Sequence, residues 1–273
     1  MQKKFTTRPL SHAEQRLYLM LEAEGLNVFT IDDVSKFKHG FSRQYIHVLL
    51  HRLKEKGWIT RAGPRVYLRL PASAAVDGKV YIEDPFAIAL KLFHGYLAFQ
   101  TALKVHSLSE YQSFTVFVAT KQKSKTVKLA EQYEIKALAL KKRFTGYMRK
   151  GSYIVSTVAK TFFDCFFHPQ YAGGLNEVLK SLYSCDTMDW KEFLSYCKRL
   201  GSDSFCQKSG YLLELIERDT GFKVPRSVVG YLKSRVRTKT RLVPQVKGGH
   251  LVKDWLVIDN VGRNRLLSWW LRG

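Results

Sequence analysis

The chain has 273 residues, is 45% hydrophobic and 13% aromatic, and carries 45 Lys and Arg against 23 Asp and Glu, a net charge of +22. That is apolar material enough for a sizeable core and excludes wholesale disorder, and no apolar run reaches the ~20 residues of a membrane span. The positive balance favours polyphosphate partners, the alternative being a solubilising surface, and it says nothing of fold.

The opening Met1-Gln2-Lys3-Lys4-Phe5-Thr6 lacks the apolar centre of a signal peptide, so the expected location is cytoplasmic. Ser11-His12-Ala13-Glu14 is a capping box, and the helix it opens sets Ala13, Leu17, Met20 and Leu21 on one face before stopping at Gly25. Thr30-Ile31-Asp32-Asp33 repeats the device and predicts a short second helix through Val34 and Phe37, ended by a turn at Gly40. Ser42 can cap a third helix whose apolar stripe is Ile46, Leu49, Leu50 and Leu53, with Gly57 at its end. Trp58 to Arg61 and Arg65 to Leu68 then read as two short strands joined by Ala62-Gly63-Pro64. Three small helices and a basic hairpin predict a winged helix-turn-helix over residues 1–70, a reader of double-stranded DNA.

Projected at about 100° per residue, the third helix points its stripe inward, so Gln44, Val48 and His51 face directly outward with His47 at one margin. Gln can pair with adenine in the major groove, and Val can touch a thymine methyl. Ser42, Arg43, Tyr45 and Arg52 sit where recognition helices meet phosphate, and Arg61 and Arg65 of the hairpin can reach a flanking backbone or minor groove. A domain that docks onto protein is the competing reading, and the basic tip weighs against it. Residues 1–78 hold 13 basic and 7 acidic residues, a net of +6, which leaves +16 for the remainder. Most of that surplus lies in Lys121 to Lys160 and from Lys223 onward, so the larger part is also expected near nucleic acid or a nucleotide.

Residues 71–78, Pro71-Ala72-Ser73-Ala74-Ala75-Val76-Asp77-Gly78, form a small-residue linker ahead of a second domain over 79–222. Pro85 begins a helix through Phe86, Ile88, Ala89 and Leu92 that runs on or bends at Gly95 into Tyr96 to His106. Phe114 to Ala119, Glu134 to Leu140 and Gly151 to Ser156 are strand candidates. Helices follow at Thr161 to Phe167, Leu175 to Tyr183, Trp190 to Leu200, Phe205 to Thr220 and from Pro225, with a last strand over Leu251 to Ile258. The fold class is therefore α+β, a winged helix-turn-helix followed by a mixed domain with a helical second half. The basic extension 223–273 is expected to pack on or continue that domain. Cys165, Cys185, Cys197 and Cys206 make no CxxC pair and read as core thiols.

Several of these motifs resemble a known family. Pro85-Phe86-Ala87-Ile88-Ala89, then Tyr96 to Leu103 and His106, resemble the opening of the effector domain of AbiEi-type antitoxins, transcriptional regulators of viral defence systems. Val116 to Thr120 is similar to the family's strand, Ser156 to Asp164 to its strand-to-helix motif, Gly173-Gly174 to the turn beyond, and Gly210 to Glu214 to a later helix. An N-terminal winged domain is also that family's arrangement. The family usually has an acid just before the Lys/Arg-Thr of the central motif, where this chain has Ala159. What the resemblance implies is an antitoxin that represses its own operon and counters a nucleotidyltransferase-type toxin encoded beside it, no direct complex being required.

Read for catalysis, the residues offer little. Lys160 and Asp164 lie four apart and share a helix face. With Thr161 they form the effector-domain motif, expected either to present a surface for the toxin or its substrate at a helix N-terminus, or to staple helix to strand. His94 and His106 lie in apolar sequence, and Asp254 and Asp259 flank Trp255 to Ile258 in a faint likeness to metal-dependent nucleases. There is no Gly-rich phosphate loop, nucleophile elbow or zinc spacing. Neither a cofactor nor a metal is expected, and the expected protein is a DNA-binding repressor rather than an enzyme. The alternative is a DNA-processing enzyme of a mobile element, a nuclease or nucleotidyltransferase placed by its wing.

Overall fold

The computed structural model describes residues 8–37, 40–71, 82–129 and 132–271. Helices α1 (His12–Ala23), α2 (Ile31–Val34) and α3 (Arg43–Glu55) pack with strands β1 (Val28–Thr30), β2 (Ile59–Gly63) and β3 (Val66–Arg69). Both capping boxes form: Ser11 N donates to Glu14 Oε2 at 2.7 Å, and Thr30 N donates to Asp33 Oδ2 at 2.9 Å. Leu17, Leu21, Phe29, Val34, Leu49, Leu50 and Leu53 are fully buried between them. Two details differ from expectation. The second helix stops at Val34, short of Phe37, and β1 is an unforeseen strand that pairs antiparallel with β3, making the sheet order β1-β3-β2.

Residues 72–78 of the expected linker lie outside the described residues. Beyond them, α4 (Pro85–Leu92) starts on an Asp84 cap, whose carboxylate accepts from Phe86 N and Ala87 N at 3.0 and 2.9 Å. Its apolar face joins the hairpin to the next sheet: Ala62, Val66 and Leu68 share one core with Ile88, Ala89, Val116, Val118, Ile135 and Val155. Across the same seam, Lys91 Nζ donates to Asp33 Oδ2 at 2.7 Å. Burial alone would raise the Asp33 pKa, but the hydrogen bonds from Lys91 and Thr30 outweigh it and hold the carboxyl down at about 2. A carboxyl depressed in the folded state contributes stability that is present above its ordinary pKa and is lost as pH falls from about 4 to about 2. Asp33→Asn is therefore expected to cost ~1 kcal/mol at neutral pH, and to remove part of the stability loss in that acid window. Thermal melts from pH 7 down to pH 2 that superimpose for variant and parent would refute this role.

The second sheet has six strands in the order β6-β7-β5-β4-β9-β8. They are β4 (Gly95–Leu97), β5 (Thr115–Thr120), β6 (Lys125–Leu129), β7 (Tyr133–Ala139), β8 (Tyr147–Lys150) and β9 (Tyr153–Ser156), with β5–β7 and β4–β9 parallel. Here the expected helix running or bending at Gly95 is corrected. Gly95 to Leu97 is an inner strand, and a new helix, α5 (Phe99–Val105), begins only after it. Tyr96 and Leu97 are fully buried on opposite faces, and burial on both faces leaves no alternation for a sequence pattern to reveal.

Helices α6 (Val158–Phe167), α7 (Leu175–Tyr183), α8 (Trp190–Leu200), α9 (Asp203–Thr220) and α10 (Arg226–Ser234) make up the helical half. The strand expected over Leu251 to Ile258 is broken. β11 (His250–Val252) and β12 (Val257–Asp259) flank a 3₁₀ turn in which Leu256 has φ 48°, and β10 (Thr240–Arg241) pairs with β12. The break turns Trp255 inward, fully buried against Gly210, where a Cβ would lie 2.1 Å from the indole. Two short helices, α11 (Arg263–Leu266) and α12 (Ser268–Leu271), close the described chain. Val228, Leu232, Trp255, Val257 and Leu266 share a core with Phe162, Phe193 and Leu213, so residues beyond 223 are built into the helical half. All four cysteines are buried and free. Among the described residues no helix is long and apolar enough to cross a membrane.

Candidate nucleic-acid interface

Ser42 Oγ accepts from Tyr45 N at 3.2 Å and starts α3. The i, i+3, i+4, i+7 stripe of Ile46, Leu49, Leu50 and Leu53 is at most 1% exposed, which fixes the rotation of the helix. Arg43, Gln44, Tyr45, His47, Val48, His51 and Arg52 are consequently exposed, and so are the other predicted contact residues, Ser42 at the cap and Arg61 and Arg65 of the hairpin. Val48 is 42% exposed, an apolar side chain in solvent between polar neighbours. Gln44, His47, His51 and Arg52 make no side-chain hydrogen bond among the described residues, so their donors and acceptors are free for a ligand.

Arg43 is different. Its Nη2 donates to Asp32 Oδ1 at 2.6 Å, a pair that is exposed on both sides and contributes little, so any anion approaching Arg43 would compete with Asp32 for it. In the hairpin, the Arg61 guanidinium lies 5.8 Å from the centre of the Tyr67 ring. Arg65 sits in the turn with φ 62°, beyond a bulge between Arg61 and Gly63. One contributor was not legible in the sequence. Arg16 of α1 lies 5.4 Å over the Phe41 ring, and that ring meets Tyr45 edge-on at 5.7 Å, so α1 buttresses the start of α3. The two partners lie far apart in the chain, and no local pattern links them.

The motif Lys160, Thr161 and Asp164 lies elsewhere and does not form a surface. All three side chains are 0% exposed, which corrects the expectation of an anion-binding face at the start of α6. Thr157 caps the helix, and Thr161 Oγ1 bonds Ser156 Oγ at 2.7 Å and donates to Thr157 O at 2.8 Å, tying α6 to β9. Lys160 Nζ and Asp164 Oδ2 form an ion pair beside the rings of Phe163 and Tyr196. Burial pushes the Lys160 ammonium below its ordinary pKa and the Asp164 carboxyl above its own, so attraction does not fully repay desolvation. Ala159, where the resembled family has an acid, is also fully buried.

The other candidates are likewise placed apart. His94 is exposed rather than set among apolar residues, and His106 is part-buried with Nε2 2.7 Å from Ser156 O. Asp254 is exposed on the turn, while Asp259 lies buried at the far end of β12, accepting from Tyr211 OH at 2.7 Å and from two backbone amides. They do not converge into a site.

No protein-family model and no curated protein sequence matches the chain. In structure it is similar to the RV2827C protein from Mycobacterium tuberculosis, with a TM-score of 0.64 at 13% identity, over 98% of this chain and 96% of that one. That likeness is one of fold.

Proposed function

We propose that the chain is a sequence-specific DNA-binding transcriptional repressor and the antitoxin of an AbiE-like operon. On this reading α1–α3 and the β2–β3 hairpin are a winged helix-turn-helix, with α3 in the major groove and Arg61 and Arg65 on the flanking backbone. The observation that carries it is the outward face of α3, where Gln44, Val48 and His51 stand exposed above a fully buried stripe. Gln44 and His51 make no side-chain hydrogen bond among the described residues, and all three have the chemistry that reads base edges. The antitoxin role rests on the resemblance of the Pro85, Tyr96, Ser156 and Gly210 motifs. Its functional partner is a nucleotidyltransferase-type toxin, countered by a surface other than the buried Lys160 motif.

The experiment is a selection of bound duplexes from a random pool, followed by affinities for the enriched site and for random DNA. Gln44→Ala and His51→Ala are each expected to cost ~1–3 kcal/mol on the enriched site and little on random DNA. Equal losses on both, or a pool that fails to enrich, would show that α3 does not read sequence.

A further inference from the structure

Helices α6, α7 and α9 and the C-terminal segment from Leu242 to Ser268 line a half-open cleft of about 1060 Å³, the scale of small-molecule sites. Its chemistry is one-sided. Lys208 and Arg265 line it, and no Asp or Glu does. Neither cation has a side-chain partner among the described residues. Lys208 is half-buried as well, so its ammonium is partly stripped of water with no counter-charge, and burial pushes its pKa below the ordinary value.

Two further features favour an anion. Gly174, with φ 98°, leads into α7 without any side-chain cap, and both it and Asn176 line the cleft, so the amides of the helix start are left without a cap. Arg143 Nη2 donates to His168 Nε2 at 3.0 Å, which leaves the imidazole proton on Nδ1 as a donor in a residue lining the same space. Opposite in character are Phe166, Phe167 and Phe205, which also line it; the last two stack with centroids 5.1 Å apart and planes at 22°. An aromatic wall beside uncompensated cations suits a ligand with a planar ring and a phosphate.

We propose that this cleft binds a nucleoside phosphate, its base against the phenylalanine wall and its phosphate held by Lys208 and Arg265. The site shares no residue with the exposed face of α3, and it stands or falls independently of DNA recognition.

Titration calorimetry of the full chain in 0.2 M salt tests it, using the nucleoside mono-, di- and triphosphates, the parent nucleosides and inorganic pyrophosphate. At least one nucleotide is expected to bind saturably at one site per chain. Its nucleoside and pyrophosphate should each bind at least tenfold more weakly, because each lacks half of the recognition. Lys208→Ala and Arg265→Ala should each weaken the nucleotide at least tenfold, whereas Gln44→Ala should leave it unchanged. Melting temperature should hold or rise in Lys208→Ala, since the substitution removes a half-buried charge without a partner; Lys208→Gln serves if that variant folds poorly. Failure of every nucleotide to saturate overturns the proposal. So does pyrophosphate binding as tightly as the nucleotide, or binding that survives both substitutions.

Discussion

Replacing Lys160 by Ala is expected to destabilise the protein by about 3–5 kcal/mol, the usual cost of leaving one half of a buried ion pair alone. Lys160 and Asp164 are both fully enclosed, and Asp164 Oδ1 already lacks a hydrogen-bond partner among the described residues. Removing the ammonium takes away the hydrogen-bonded partner of a fully buried carboxylate and leaves only the more distant charge of Arg143 to favour its ionised form, so Asp164 is driven toward taking up a proton or drawing in water. For a chain of this length that corresponds to a fall in melting temperature on the order of 10 °C. Replacing both partners together, Lys160→Met with Asp164→Leu, removes the charge and its demand at once and should recover most of the loss. Melts of the parent, single and double variants settle the matter, and an unchanged melting temperature in Lys160→Ala would contradict a structural role. If the double variant is stable yet no longer protects toxin-expressing cells, the pair acts beyond the fold.

Gly95→Ala is expected to cost about 3 kcal/mol, at the upper end of what overpacking inflicts. An added Cβ would lie 1.9 Å from the carbonyl oxygen of Ala119, on the neighbouring strand. Backbone cannot swing aside as a side chain can, so β4 and β5 must part at the centre of the sheet. Gly230→Ala is the matching control. It lies exposed within α10 with nothing near its Cβ, and there Ala should stabilise by roughly 0.5–1 kcal/mol. Chemical denaturation of the two variants should give shifts of opposite sign, and a neutral Gly95→Ala would disprove the close approach.

How much of this was legible follows from physics rather than from chain position. The stripe of α3 and its Ser42 cap are local, period-3.6 signals, and the outward face follows from them by rotation alone. Gly95-Tyr96-Leu97 was not legible, because a short strand buried on both faces has the same apolar content as a helix segment. Strands β6 and β8 were missed for the opposite reason: Lys125-Thr126-Val127-Lys128-Leu129 and Tyr147-Met148-Arg149-Lys150 lie at the sheet edges and are rich in cations, as edges that resist further pairing often are. Trp255 broke its strand because burying an indole against Gly210 outweighs three residues of ladder. The Lys160–Asp164 pair could be read from its spacing, but its burial could not, since an i, i+4 pair looks the same on a solvated face. The cleft around Lys208 draws its lining from Phe166 through Ser268, and only the fold brings those residues together.

The central claim is that α3 and the hairpin meet DNA, and the salt dependence of duplex binding tests it most directly. If Arg52, Arg61 and Arg65 contact phosphate, binding releases counterions, so log K should fall steeply and linearly with log salt. Each substitution of these three by Ala should make that slope shallower by about one unit, whatever the DNA sequence. Arg43→Ala should change it less, because Arg43 is already engaged with Asp32. If duplex affinity barely changes between low and moderate salt, or if the three arginine variants keep the parent slope, the exposed face of α3 and its hairpin do not contact DNA.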